Sequence, residues 1–233
     1  MITTGKVVWS LFDGSGIMGL PWAEAGYQVY CFNADKGNHG EYKDKMYHPN
    51  LHYIDQWIDP EFAIKREILG TPLPSIIFGF PDCTLFAQSG SQHDRDDAEI
   101  QYALANAKLI RELGERYNVP WMVENPVGAL SRPEMMGKAN AYFDPWEYGG
   151  HMTIDDRPFH PRMPMFDGYT KKTCLWFGNG FRMPEKFPGP INIGCFWGWK
   201  YLGGNSTRTK QLRSLTPRGF ARAVFRANHH DAS

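Results

Sequence analysis

Lys6-Val7-Val8-Trp9-Ser10-Leu11-Phe12-Asp13-Gly14-Ser15-Gly16 is the stretch on which the fold reading turns. Residues 6–12 form an apolar run of strand length. Asp13-Gly14-Ser15-Gly16 breaks it, and residues 18–25 read as a helix. Strand, glycine-rich turn and helix open a nucleotide-binding α/β unit. There the glycines let backbone approach a ligand, and the helix amino terminus favours polar or anionic groups. A plain tight turn has the same composition, so the stretch speaks to fold before it speaks to ligand.

Working outward, residues 27–32 are a second strand that ends at Asn33-Ala34-Asp35. An acid at this point commonly grips ribose hydroxyls, which makes Asp35 a candidate; a helix cap or a solvated loop acid is the plainer reading. Residues 51–54 give a third strand ending at Asp55, and residues 59–69 a helix with Asp59 as cap and Pro60 in its first turn. A short apolar run, Ser75-Ile76-Ile77-Phe78-Gly79, is the fourth strand. It leads into Phe80-Pro81-Asp82-Cys83-Thr84-Leu85-Phe86-Ala87-Gln88-Ser89-Gly90. Open α/β sheets hold their ligands past the carboxyl ends of the strands, so Cys83 stands where a ligand would be. Its thiolate would be the nucleophile. The polar run at residues 93–97 reads as substrate-facing or as a solvated helix entrance.

Residues 97–117 carry apolar side chains at Ile100, Ala103, Leu104, Ala107, Ile110 and Leu113, a helical period. A fifth strand at residues 119–123 runs into Glu124-Asn125-Pro126-Val127-Gly128. A carboxylate therefore follows a strand one sheet position from Cys83, although an acid capping a turn would look the same. Residues 141–146 and 173–177 are candidates for two further strands. Residues 178–215 are loop-rich, with Trp197, Trp199 and Gly203-Gly204-Asn205; they would either contact a base and phosphate or pack their tryptophans inward. Thr216 as cap and Pro217 at the first position begin a terminal helix to about residue 228. Arg213, Arg218, Arg222 and Arg226 make this end locally basic. No repeat or linker divides residues 1–233, which suggests one α/β domain with a mostly parallel sheet of about seven strands and helices on both faces.

Composition narrows the function. The 25 Lys and Arg balance 25 Asp and Glu, so a dedicated nucleic-acid binder is disfavoured, and any phosphate contact must come from a local patch. The 4 cysteines include no Cys-x-x-Cys pair, which argues against a structural zinc site. With no signal peptide and no apolar run of membrane length, a reducing cytoplasmic setting is expected, free of membrane.

Taken together, these motifs resemble the cytosine-5 DNA methyltransferase family, as a compact, phage-like member. Ser10-Leu11-Phe12-Asp13-Gly14 with Gly16 resembles its S-adenosylmethionine loop. Phe80-Pro81-Asp82-Cys83 with Phe86 and Ser89-Gly90 resembles its cysteine loop, and Glu124-Asn125-Pro126 its glutamate motif. Tyr148-Gly149, then Lys171 before Cys174-Leu175-Trp176-Phe177-Gly178, is similar to the segment holding its Arg-x-Arg. Leu215-Thr216-Pro217-Arg218 is similar to a late family motif.

The resemblance implies a Rossmann-like, S-adenosylmethionine-dependent methyltransferase fold. It implies cofactor contacts at Phe12, Asp13, Gly14, Gly16, Asp35, Asp55 and Pro81, and chemistry at Cys83, Glu124 and Lys171. It also implies a DNA partner, a monomer, and base flipping if the DNA is duplex. Three departures stand out: Asp82 replaces the proline before the cysteine, Lys171 and Thr173 replace the Arg-x-Arg, and the recognition segment at 178–213 is short. They keep two alternatives open, the same chemistry on a free pyrimidine nucleotide such as dCMP and a catalytically inactive binding protein of this fold. A nicotinamide enzyme is disfavoured, because the turn lacks the full Gly-x-Gly-x-x-Gly.

Overall fold

The computed structural model describes residues 6–86 and 96–229. Residues 87–90 of the cysteine motif and most of the 93–97 run lie outside them. Seven strands form one sheet: β1 (Val7–Leu11), β2 (Gln28–Asn33), β3 (Leu51–Asp55), β4 (Ile76–Gly79), β5 (Trp121–Pro126), β6 (Ala141–Phe143) and β7 (Thr173–Gly178). Their order across the sheet is β3-β2-β1-β4-β5-β7-β6. Strands β1 to β5 run parallel, and β7 lies antiparallel between β5 and β6. This is the expected architecture, a mostly parallel seven-stranded α/β sheet.

The alternation of side chains along each strand builds two cores. Val8, Val29, Cys31, Ile76, Phe78, Met122 and Leu175 point to one face. There they meet Trp22 and Ala23 of α1 (Leu20–Glu24) and Phe220, Ala221 and Val224 of α6 (Arg218–Asn228). Val7, Trp9, Leu11, Phe32, Ile77, Val123 and Trp176 point to the other. They meet Phe62 and Ala63 of α2 (Phe62–Ile68) and Ala107, Ile110 and Leu113 of α3 (Asp97–Tyr117). Helices therefore cover both faces. No described helix is long and apolar enough to cross a membrane.

Helix α3 starts where the sequence predicts. Asp96 caps it by accepting from Ala98 N at 2.9 Å, Asp97 and Glu99 sit in the first turn, and Asn118 closes it in the left-handed region.

Several boundaries differ. Asp59 does not begin α2; its carboxylate accepts from Glu61 N, and the helix opens at Phe62. Strand β5 continues through Glu124, Asn125 and Pro126 because these residues pair with β7, in register with Leu175, Cys174 and Thr173. Only residues 141–143 of the sixth segment are strand, and Pro145–His151 is a 3-10 helix. In the terminal helix Pro217, not Thr216, is the cap residue; Asp167 Oδ2 accepts from Arg218 N at 2.6 Å and serves the first turn instead. The 178–215 stretch holds two helices, α4 (Trp197–Tyr201) and α5 (Thr207–Ser214).

Candidate active site

A cavity of about 710 Å³ opens over the carboxyl ends of β1, β2, β4 and β5. Cys83 stands in the loop after β4, Glu124 in the second half of strand β5, and Lys171 just before the antiparallel β7; all three line this cavity. Strand pairing is what gathers them. β4 and β5 are neighbours, and β7 runs back beside β5, so its start lies at the end of β5.

The cysteine loop is held from below. Asn125, fully buried in β5, donates from Nδ2 to Pro81 O at 3.0 Å. Phe80 N donates to Leu11 O, and Phe86 N to Cys83 O, which closes a turn around the thiol. Asn125 is a site residue whose role was not read from the sequence. Its signal was its place beside Glu124 at the carboxyl end of the strand, where ligands of open α/β sheets lie.

Electrostatics differentiate the groups. Burial pushes the Cys83 thiol up to about 11; Asp82 and Glu124 push the same way, and the Lys171 ammonium opposes them. Burial also raises Glu124, against Lys171, which favours the protonated acid at higher pH than an ordinary carboxyl. Asp82, the departure beside the cysteine, is held in a fixed set of bonds. Its Oδ1 accepts from Thr84 N at 2.8 Å and Thr84 Oγ1 at 2.6 Å, and its Oδ2 from Asn38 Nδ2 at 2.8 Å. Burial works against its ionisation, but these bonds and the nearby His39 keep its carboxyl below the usual value. Lys171 Nζ donates to Arg213 O at 2.9 Å and lies over the Phe196 ring.

The roof of the cavity is the β2–β3 loop, bolted to α5. Gln211 Nε2 donates to His39 O at 2.8 Å and Glu41 O at 2.7 Å, and Gln211 Oε1 accepts from Lys43 N. Tyr42 Oη meets Ser214 Oγ at 2.7 Å, and Lys210 Nζ donates to Asn38 Oδ1 at 2.6 Å. Much of the segment expected to read a substrate is thus engaged in holding this loop.

The expected cofactor residues divide. Phe12 and Pro81 line the cavity; Asp13, Gly14, Gly16, Asp35 and Asp55 do not. Asp13 is buried under its own turn, with Oδ1 accepting from Ser15 N and Gly16 N and Oδ2 from Ser10 Oγ. The glycines admit two tyrosines. A Cβ on Gly14 would lie 2.1 Å from Tyr42 Cδ2, and one on Gly16, at φ +71°, would lie 2.4 Å from Tyr53 Oη. Asp55 Oδ1 accepts from Asp35 N at 2.9 Å, so this pair fixes the loop. Asn33, the last residue of β2, lines the cavity in their stead, and its buried Nδ2 has no partner among the described residues.

These features fit a nucleoside-bearing cofactor such as S-adenosylmethionine at the β2 end. A buried amide donor there lacks its acceptor, and Phe12, Trp57 and Tyr102 offer ring surfaces around it. No cluster of metal-binding side chains occurs among the described residues.

No family model and no curated protein matches the chain. Among solved structures, it is similar to a prophage-encoded E. coli protein described as a DNA modification methyltransferase, at 15% identity and a TM-score of 0.48, over 80% of this chain and 53% of that one. It is similar to a SAM-dependent methyltransferase from Agrobacterium tumefaciens at 19% identity and a TM-score of 0.33, over 55% of this chain and 41% of that one. It is also similar to the Bordetella bronchiseptica enzyme WbmH in complex with NAD+, at 15% identity and a TM-score of 0.35, over 49% and 37%. This chain spans about half the length of the first of these structures. At such identities and TM-scores the likeness carries no statement about activity.

Proposed function

We propose that this chain is an S-adenosylmethionine-dependent cytosine-5 methyltransferase acting on DNA through a covalent Cys83 adduct. The observation that carries the reading is the convergence of a thiol, a carboxyl with raised pKa and an ammonium on one cavity over the strand ends. Carbon 5 of cytosine is a poor nucleophile. Cys83 Sγ adds to carbon 6 as thiolate and makes the ring an enamine. Glu124, its pKa raised by burial, donates a proton to ring nitrogen 3 and makes carbon 6 electrophilic. Lys171 stabilises the thiolate. S-adenosylmethionine, when bound, supplies an electrophilic methyl group for carbon 5. Asn33 Nδ2, Phe12 and Pro81 are the residues that would hold it, with Asp13, Gly14 and Gly16 shaping the turn beneath.

A second reading, the same chemistry on a free pyrimidine nucleotide, is favoured by the terminal arginines. Arg213 donates to Gly198 O and Leu202 O, Arg218 pairs with Asp167, Arg222 with Asp156, and Arg226 meets His151. The basic end found in the sequence is therefore engaged in contacts within the protein, with only Arg226 of the four exposed.

Tritiated S-adenosylmethionine offered with duplex DNA, single-stranded DNA and dCMP tests both readings. Label in DNA that vanishes in Cys83→Ala, with cofactor binding kept within a few fold, is the expected outcome. Label only in dCMP selects the second reading. Equal loss of cofactor binding and turnover in Cys83→Ala would make Cys83 structural.

A further inference from the structure

The chemistry above leaves one proton without a destination. After carbon 5 is methylated, the hydrogen it still carries must leave before Cys83 can be expelled. Glu124 serves nitrogen 3, Lys171 donates to Arg213 O, and Asp82 is held by three hydrogen bonds from Thr84 and Asn38.

We propose that His39 is the base that takes the carbon-5 proton; this rests on the methyltransferase reading above. His39 lines the same cavity as Cys83 and Glu124. Its neighbour Asn38 donates to Asp82 Oδ2 at 2.8 Å and to Thr84 Oγ1 at 2.9 Å, so the loop that carries the imidazole touches both residues flanking the cysteine. The ring is aimed from two sides. Its own carbonyl is held by Gln211 of α5, and its face stacks on Tyr42 with centroids 6.2 Å apart and planes 22° apart. Neither ring nitrogen has a hydrogen-bond partner among the described residues. The charged groups around it are Asp82 of the cysteine loop, Lys210 of α5 and Lys171 ahead of β7. Burial is the largest influence and lowers its pKa; Asp82 works against this, and Lys210 and Lys171 add to it. The imidazole is thus neutral at pH 7, the form that accepts a proton.

The step balances. The carbon 5–hydrogen bond breaks, and its electron pair forms the carbon 5–carbon 6 double bond. The carbon 6–Sγ bond breaks, with its pair leaving on Cys83. The nitrogen-3 proton returns to Glu124, and the carbon-5 proton makes His39 an imidazolium, which then releases it to water.

Mixed-sequence duplex DNA carrying [5-³H]cytosine, and [5-³H]dCMP in parallel, test this with His39→Ala and His39→Gln. In whichever substrate the unaltered protein methylates, both variants should form the denaturation-resistant adduct within about threefold of its rate. Tritium release should fall by about 10²-fold or more, so that adduct accumulates. In the unaltered protein, tritium release should diminish as pH falls through the His39 titration, and this limb should be absent in both variants. Release at the unaltered rate, or adduct formation and release reduced together, would overturn the role of His39. If the unaltered protein forms no adduct and releases no tritium, the methyltransferase reading itself fails, and this inference with it.

Discussion

At the scale of single residues, the telling feature is a thiol placed between opposing charges. Asp82 and Glu124 raise the Cys83 pKa, Lys171 lowers it, and burial sets the starting point, for a net value of about 11. Below that pH the thiolate fraction rises about tenfold per unit of pH. Alkylation of Cys83 by iodoacetamide should therefore climb through neutral pH without levelling. At pH 8, Lys171→Met should slow it and Asp82→Asn should speed it, each by roughly three- to tenfold. An unchanged rate in both variants would mean that neither charge acts on the sulfur. Cys83 and Glu124 could be placed at the cavity because each comes shortly after an apolar run, residues 76–79 and 119–123. Asp35 and Asp55, expected at the cofactor from their position, do not line the cavity. Two acids at adjacent strand ends can tie the loop between them, and here Asp55 accepts from Asp35 N while Asn33 faces the cavity.

At the scale of elements, the strands and α3 were readable because their side chains alternate or repeat against a core. Helix α5 was not. Thr207–Ser214 holds a single aliphatic residue, Leu212, so it shows no apolar stripe. Its local signal was Ser206, whose hydroxyl accepts from Thr209 N. What keeps it in place is polar and distant in sequence, chiefly Gln211, which is 2% exposed and bonded to three backbone groups of the β2–β3 loop. Gln211→Ala would leave those groups without partners and should cost about 1–3 kcal/mol in a denaturant melt. The cavity roof should loosen with it, seen as faster amide exchange across residues 38–44. Gly14→Ala should act on the same contact from beneath, because its Cβ would displace Tyr42 from the turn and from Ser214. Gly14→Ala melting with the unaltered protein would contradict the close approach of that ring.

At the scale of the whole molecule, one sheet with its reversed β7 gathers residues from positions 12 to 171 on a single edge, and the two helical layers hold that edge still. The chain's formal charge is balanced, and each terminal arginine already has a partner within the protein. A duplex bound here should lose few counterions. Its log K should fall against log salt with a slope no steeper than about −4, corresponding to roughly four phosphates. A slope near −8, measured by fluorescence anisotropy, would point to a basic face that the described residues do not supply. The central claim is that Cys83 bonds to carbon 6 of a cytosine ring over this edge. The most direct test presents 5-fluorocytosine, in mixed-sequence duplex DNA and as the mononucleotide, together with S-adenosylmethionine. The trapped species is then digested and its peptides weighed. The account predicts a pyrimidine mass on the peptide containing Cys83, absent in Cys83→Ala. Methyl transfer to cytosine with no such adduct, or an adduct on another cysteine, would contradict it.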